Sequence, residues 1–240
     1  MREFFQRIED DVSVNIEIDM NAYAYSKKYL WLFSLFVKFD ADENNSDAYE
    51  EFLETKESLI IALEYEDKAK FVGMRVVEGW SEFYFYAENS KGLESVVSRI
   101  LKASDYIYES SVVKDNKWDF HYKNLSPTEL ELAHIQSEKI IFLLKEEDDA
   151  LEVVRPVEHY VSFLTPTQKN RFLNTLELEG VSFKDEIEND EFEHGVALVK
   201  DHALTSDEVK KVVNEIFQAV KKEEGFYEGW STVLASELVE

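Results

Sequence analysis

Apolar residues along this chain recur with two different periods. Val12, Val14, Ile16 and Ile18 alternate with Asp11, Ser13, Asn15, Glu17 and Asp19, the spacing of a half-buried strand. The mixed, polar residues before them predict no element. Leu30 to Phe39 is almost continuously apolar, as a central strand covered on both faces would be. An acidic, asparagine-containing loop over 40–47 follows, and Ser46 or Asp47 then caps a helix striped by Tyr49, Phe52, Leu53, Leu59, Ile60 and Leu63. Phe71 to Val77 and Glu82 to Ala87 predict two strands joined through Glu78-Gly79-Trp80-Ser81, with the glycine supplying the unusual turn conformation. Ser90 opens a helix carrying Leu93, Val96, Val97, Ile100 and Leu101, and Tyr106 to Val113 alternates again.

Ser126-Pro127-Thr128-Glu129 has the form of a capping box with proline at the first helical position. The helix it opens runs through Leu130, Ala133, Ile140, Ile141 and Leu144 to the acidic Glu146-Glu147-Asp148-Asp149. Pro156 leads into a strand over Val157 to Leu164. Thr165-Pro166-Thr167-Gln168 caps a helix with Phe172, Leu173 and Leu176, which Gly180 is expected to end. Val181 to Glu188 and Phe192 to Val199 read as a strand pair across Asn189-Asp190. Thr205-Ser206-Asp207-Glu208 is a third capping box, before the helical stripe Val209, Val212, Val213, Ile216, Phe217 and Val220. Gly225 sits where a left-handed glycine would stop that helix. Phe226 to Leu234 then reads as a strand in which Gly229 marks a bulge or the close approach of a second backbone.

Each half therefore reads strand, helix, strand, strand, helix, strand. That order predicts an α+β protein of two tandem ferredoxin-like (βαββαβ) sandwich domains with antiparallel sheets, over residues 1–125 and 126–240. Both halves end near a tryptophan, Trp118 and Trp230, although the two sequences are not visibly alike. The first and last strands of each run are not expected to be neighbours.

Composition narrows the function. With 26 basic and 51 acidic residues the chain carries a formal charge of −25, and its C-terminal half is the more acidic. Such a field repels phosphate backbones and anionic lipid and attracts basic partners within about 8 Å at physiological salt. Neither direct nucleic-acid binding nor a membrane partner is expected. The chain has no cysteine, which removes disulfides, thiolate catalysis and cysteine zinc sites together. The N-terminal residues lack the apolar core of a signal peptide, and the longest apolar run, Tyr29 to Val37, is too short for a bilayer span of about 20 residues. The reading is a cytoplasmic protein.

Chemistry-bearing motifs are scarce. The five histidines, His121, His134, His159, His194 and His202, show no HExxH or helical His-x₃-His spacing. His194 and His202 with Glu191 or Glu193 would form a metal site only by folding together, and solvated side chains are the commoner outcome. No serine has a nucleophile-elbow context, and no GxGxxG or phosphate loop exists. No catalytic residue, metal or cofactor is assigned.

The C-terminal half resembles the RraB family, regulators that inhibit bacterial ribonuclease E. The resemblance lies in Arg155-Pro156-Val157-Glu158-His159-Tyr160 with Phe163, in Leu178-Glu179-Gly180-Val181, and most clearly in Gly225-Phe226-Tyr227-Glu228-Gly229-Trp230-Ser231-Thr232, where Glu228 replaces the usual aspartate. The N-terminal half looks like the domain of unknown function 695, through Glu82-Phe83-Tyr84-Phe85-Tyr86 and Asp115-Asn116-Lys117-Trp118-Asp119-Phe120-His121-Tyr122 leading to Leu125-Ser126-Pro127. The resemblance implies a non-catalytic regulator that binds and inhibits a ribonuclease or another basic protein. The candidate partner-binding residues are Glu158, His159, Tyr227, Glu228, Gly229 and Trp230. If exposed, these aromatic groups ringed by acids would suit an arginine-rich segment. Asp185 to Glu193 would add negative surface, or be a solvated hairpin. Two rivals remain open: a small-molecule or metal-dependent enzyme with its site between the domains, and a homo-oligomer pairing through its sheets.

Overall fold

A computed structural model describes residues 1–39, 46–102, 104, 106–187 and 194–235. The chain divides into two compact units, Met1–Ser126 and Pro127–Glu240. Both are mixed α+β, each built on an antiparallel sheet.

The first unit contains β1 (Arg2–Glu9), β2 (Val12–Asp19), β3 (Trp31–Lys38), α1 (Ser46–Glu64), β4 (Ala69–Val77), β5 (Trp80–Ala87), α2 (Leu93–Leu101) and β6 (Tyr108–Lys114). Its six strands lie in the order β1-β2-β4-β5-β3-β6. Strand β1 has no counterpart in the hydrophobic pattern. It forms a hairpin with β2 through Asp10 and Asp11, whose φ values of 49° and 65° supply the turn without glycine. Glu78 and Gly79, at φ 48° and 78°, make the equivalent turn between β4 and β5. The unit is filled on both sides of the sheet. Phe33, Leu35, Phe83 and Phe85 pack against Phe52 and Leu59 of α1 and Val97 of α2. Leu32, Val72, Tyr84 and Tyr86 of the opposite face pack on Tyr29, Trp118 and Leu125.

The second unit contains α3 (Glu129–Glu146), β7 (Arg155–Ser162), α4 (Pro166–Thr175), β8 (Val181–Ile187), β9 (Gly195–His202), α5 (Ser206–Lys222) and β10 (Phe226–Thr232), with strand order β10-β7-β9-β8. Val157, Val161, Val196, Leu198 and Trp230 share one face of this sheet with Ala133 and Ile141 of α3, Phe172 of α4 and Val209, Val212, Val213 and Ile216 of α5. In both units the strand that opens the βαββαβ run lies beside the strand that closes it, β3 beside β6 and β7 beside β10, against expectation. The reason is geometric. Each strand–helix–strand crossover skips one position, so the two crossovers interleave and bring the outer members together.

Helix ends depart from the sequence reading where more than one residue can play the cap. Thr128, not Ser126, caps α3: its side chain accepts from the Glu131 amide while Glu131 accepts from the Thr128 amide, leaving Pro127 outside the helix. Thr165 caps α4 as read, with Pro166 at the first position. Thr205 precedes α5 but makes no side-chain cap. Helix α2 starts after Gly92, not at Ser90. Gly180 is not a helix stop, because α4 ends at Thr175 and Gly180, at φ 71°, turns the chain into β8. The loop over 40–45 and the 188–193 segment lie outside the described residues, and with them Asn189-Asp190, Glu191 and Glu193.

Gly225 is the sharpest correction. Helix α5 ends in a Schellman motif in which Glu224, at φ 56°, takes the left-handed position, and the Gly225 amide bonds to the Val220 carbonyl at 3.0 Å. Gly225 is required for space. A β-carbon there would lie 2.5 Å and 2.7 Å from ring atoms of Phe163 and 2.8 Å from Val220. Gly225→Ala is therefore expected to destabilise the second unit by about 1–3 kcal/mol through overpacking. Glu224→Gly relieves a left-handed side chain and is expected to stabilise by up to about 1 kcal/mol. Denaturant midpoints of the two variants check the pair, and the opposite signs separate packing from backbone conformation.

Candidate functional site

Strands β7 and β10 run antiparallel with Trp230 opposite His159, Ser231 opposite Glu158 and Gly229 opposite Tyr160. All six candidate residues thus lie on one strand pair, divided between its two faces. The register slips between Tyr227 and Gly229, leaving Glu228 as the extra residue of a bulge. Gly229, at φ 125°, provides the bend; among the described residues a β-carbon there would meet nothing within 4 Å, so the bulge accounts for the glycine.

The helix-facing side is closed. Trp230 is 5% exposed, and its indole N–H donates to Ser137 Oγ at 2.9 Å, which donates in turn to the Ala133 carbonyl at 2.8 Å. His159 is fully buried between Tyr227 and His202. The tautomers follow from the end of that chain. The Ala203 carbonyl only accepts, so His202 Nδ1, 2.7 Å away, carries a proton and its Nε2 accepts. His159 Nε2 then donates across 3.2 Å, and its Nδ1 accepts from the Tyr227 hydroxyl at 2.8 Å. All three groups are neutral in this arrangement. Burial, helped by His202 and Lys200, pushes His159 down to about 3, and burial raises the Tyr227 phenol. His202 is lowered chiefly by burial as well. Arg155, 1% exposed, forks onto both carboxylate oxygens of Asp149 and also donates to the Ala150 and Val233 carbonyls, each at 3.1 Å. Buried Trp230 and His159 and the inward Tyr227 hydroxyl are therefore parts of the interior, and the expectation of exposed aromatic anchors is corrected for them. Their rings fill the space between sheet and helices.

Among the described residues of this unit the opposite side carries no helix, and its β7 positions are polar. Glu158 pairs with Lys184 of β8, which raises the Lys184 ammonium pKa. The Tyr160 hydroxyl lies 2.7 Å from Ser231 Oγ and donates to Glu158 at 3.3 Å. Ser162 Oγ donates to Glu228. Tyr160 and Ser162 follow Glu158 at alternate positions, so period-two reading could have found them; Lys184 and Ser231 needed the strand register. The surface this makes is acidic and hydroxyl-rich.

In the first unit the residues that carried the resemblance form a structural clasp. Trp118, fully buried at φ 58°, stacks on Tyr86 with centroids 3.9 Å apart and donates from its indole to the Tyr29 carbonyl at 2.7 Å. Tyr86 donates to Asp115 at 2.6 Å, and Asp115 accepts from the amides of Asp119 and Phe120, each at 3.0 Å. Burial pushes His121 down to about 4, and its Nδ1 lies 3.3 Å from Ser126 Oγ.

Residues 2–126 match the model of a family of unknown function, DUF695. The chain belongs to the DUF695 family. Its C-terminal unit matches a second model, regulator of ribonuclease activity B (RraB), over residues 134–232. The RraB match spans the whole β7–β10 strand pair, both of its faces included. No curated protein and no solved structure gives a significant match to the chain. Among the described residues no cluster of His, Cys, Asp or Glu is suited to a metal ion, and no helix is long and apolar enough to cross a membrane.

Proposed function

We propose that this protein is a non-catalytic regulator of a ribonuclease, acting through its C-terminal unit on a basic segment of the enzyme. The observation that carries the reading is the RraB match over residues 134–232, which includes the acidic open face of β7 and β10. Glu158 and Glu228 are the partner-contacting members of the six candidates; His159, Tyr227, Gly229 and Trp230 fix the strands that present them. A formal charge of −25 favours a basic protein surface over nucleic acid. We read both units as ferredoxin-like domains, over residues 1–125 and 126–240, on the strength of the βαββαβ order and the interleaved strands. The cytoplasm is the compartment in which such a partner would be met.

The test is cleavage of an RNA substrate by purified ribonuclease E with and without the protein, together with direct titration of the complex. Inhibition at near-stoichiometric protein is expected, with affinity falling about tenfold or more between low and high salt. The Glu158→Gln/Glu228→Gln double variant, which removes both charges of the open face and keeps an acceptor at each position, should weaken binding by about tenfold while the protein stays folded by circular dichroism. Binding that ignores both salt and the double variant would remove the charge argument, and RNA turnover by the protein alone would remove the non-catalytic one.

A further inference from the structure

The β1–β2 hairpin forms one edge of the first unit's sheet, and a cleft of about 750 Å³ opens between it and α1. Its floor is the α1-facing side of β2, β4 and β5, where Asn15, Glu17, Met74, Val76 and Ser81 are brought side by side by the strand register. Helix α1 forms one wall with Tyr49, Leu53 and Lys56, and Phe4 of β1 flanks the other side. The volume is in the range of small-molecule sites, about 300–1,000 Å³. The lining includes large apolar side chains that water reaches, with Phe4 67%, Tyr49 40% and Leu53 37% exposed.

Of the polar groups that line the cleft, Glu17, Lys56 and Ser81 are buried, while Ser13, Asn15 and Glu78 are exposed. Lys56 bonds to Glu17 at 2.5 Å, with the two side chains 8% and 2% exposed. The second Glu17 oxygen faces Arg2 at 3.4 Å, and Arg2 also pairs with Glu57 at 3.0 Å. Of these charges Glu17 and Lys56 line the cleft and cancel, and Glu78 at its edge adds one negative charge. An ammonium has three N–H donors, and among the described residues Lys56 uses one. Ser81 is fully buried, and its hydroxyl has no hydrogen-bond partner among the described residues. A buried hydroxyl without a partner is unfavourable, and a ligand acceptor or donor would recover that loss.

We propose that this cleft binds an uncharged small molecule with an aromatic or aliphatic body and a carbonyl head. The body lies over Phe4, Leu53 and Met74, and the carbonyl oxygen accepts from a spare Lys56 N–H and from the Ser81 hydroxyl. An anion would compete with Glu17 for Lys56 and would meet Glu78, exposed on the β4–β5 turn that lines the cleft. A cation would meet the Lys56 ammonium. A neutral acceptor disturbs neither.

The probes are Nile red, an uncharged dye with a ring carbonyl, and the anionic 1-anilinonaphthalene-8-sulfonate, each titrated against the full chain. Nile red should give a saturable, blue-shifted emission at one site, and the anionic dye should bind about tenfold more weakly or not at all. Leu53→Trp, which fills the cleft from an exposed helix position, should abolish the Nile red signal. Ser81→Ala should weaken the dye about fivefold while leaving thermal stability unchanged or raised, since it removes a hydroxyl that has no partner to lose. Unsaturable binding, an unaltered signal in Leu53→Trp, equal affinity in Ser81→Ala, or equal affinity for both dyes would overturn the proposal. Ribonuclease inhibition by the Ser81→Ala protein is expected to equal that of the wild type, because the site lies in the first unit.

Discussion

Replacing Asp149 by alanine is expected to cost the second unit about 3–5 kcal/mol, enough to leave it largely unfolded while the first unit keeps its own transition. Arg155 and Asp149 are both 0% exposed in their side chains, and the fork between them is bidentate. Removing the carboxylate strands a guanidinium that cannot lose its proton, in a place water does not reach. The same carboxylate accepts from the Ala235 amide at 3.1 Å, and Arg155 donates to the Val233 carbonyl, so the clamp ties the start of β7 to the chain beyond β10. The Arg155 hydrogen bonds hold the Asp149 pKa below its ordinary value, the direction expected of a carboxylate stabilised as an anion. The check is a denaturant unfolding curve followed by Trp230 fluorescence, compared with the double variant Asp149→Leu/Arg155→Met. That pair removes both charges together and should restore most of the loss, because an apolar replacement of a buried pair is often neutral. A double variant no more stable than Asp149→Ala would show that the clamp's geometry matters more than its charge.

What places Asp149 there is a turn that the sequence hides. Helix α3 ends in a Schellman motif with Asp148 at φ 56° in the left-handed position, its amide bonding to the Lys145 carbonyl and that of Asp149 to the Leu144 carbonyl. Read as letters, Glu146-Glu147-Asp148-Asp149 is a run of solvated acids. Only the backbone geometry separates its last member from the rest and turns it onto Arg155. The same limit explains β1. Glu3 is its one buried residue, and its turn uses two aspartates where a glycine would have signalled a hairpin. Where burial repeats along a strand or helix, as in Val12 to Ile18 or Val209 to Val220, the alternation or stripe was legible. The candidate residues Glu158, His159, Tyr227, Glu228, Gly229 and Trp230 were legible as members of two strands, but neither the pairing of those strands nor the division into two faces was. Pairing His159 with His202 requires the β7–β9 register, and the split between buried ring and exposed acid requires knowing where the helices lie. The cleft beside α1 was not legible at all, since its lining comes from β1, β2, β4, β5 and α1, which only the strand register and the placement of the helix bring together.

Between pH 7 and pH 5 the protein is expected to lose about 2 kcal/mol of stability for each histidine that is buried neutral, and the two units contain at least one each. His121 in the first unit is pushed down to about 4 and His159 in the second to about 3, in both cases mainly by burial. Against an unfolded value of 6.5 for each, the folded state binds fewer protons than the unfolded state below that pH. Stability from this source is therefore complete above about pH 6.5 and falls as the pH drops. The slope is about 1.4 kcal/mol per unit per group until the folded value is reached. At pH 5 that amounts to about 1.5 units, or about 2 kcal/mol, for each histidine. His202, lowered in the same direction, adds to the loss in the second unit. Protonating either member of the His159–His202 pair would also turn an accepting nitrogen into a donor: His159 Nδ1 would face the Tyr227 proton, or His202 Nε2 the His159 N–H. That conflict helps keep both rings neutral in the folded protein, and because His159 and His202 both contribute, the second unit is expected to lose more than the first. Guanidinium unfolding at pH 7 and pH 5 reads the total loss, and NMR of the imidazole Cε1–H groups reads the protonation state in the folded protein. Neutral His121 and His159 signals that persist at pH 5 while stability falls would match the account; equal stability at the two pH values would contradict it.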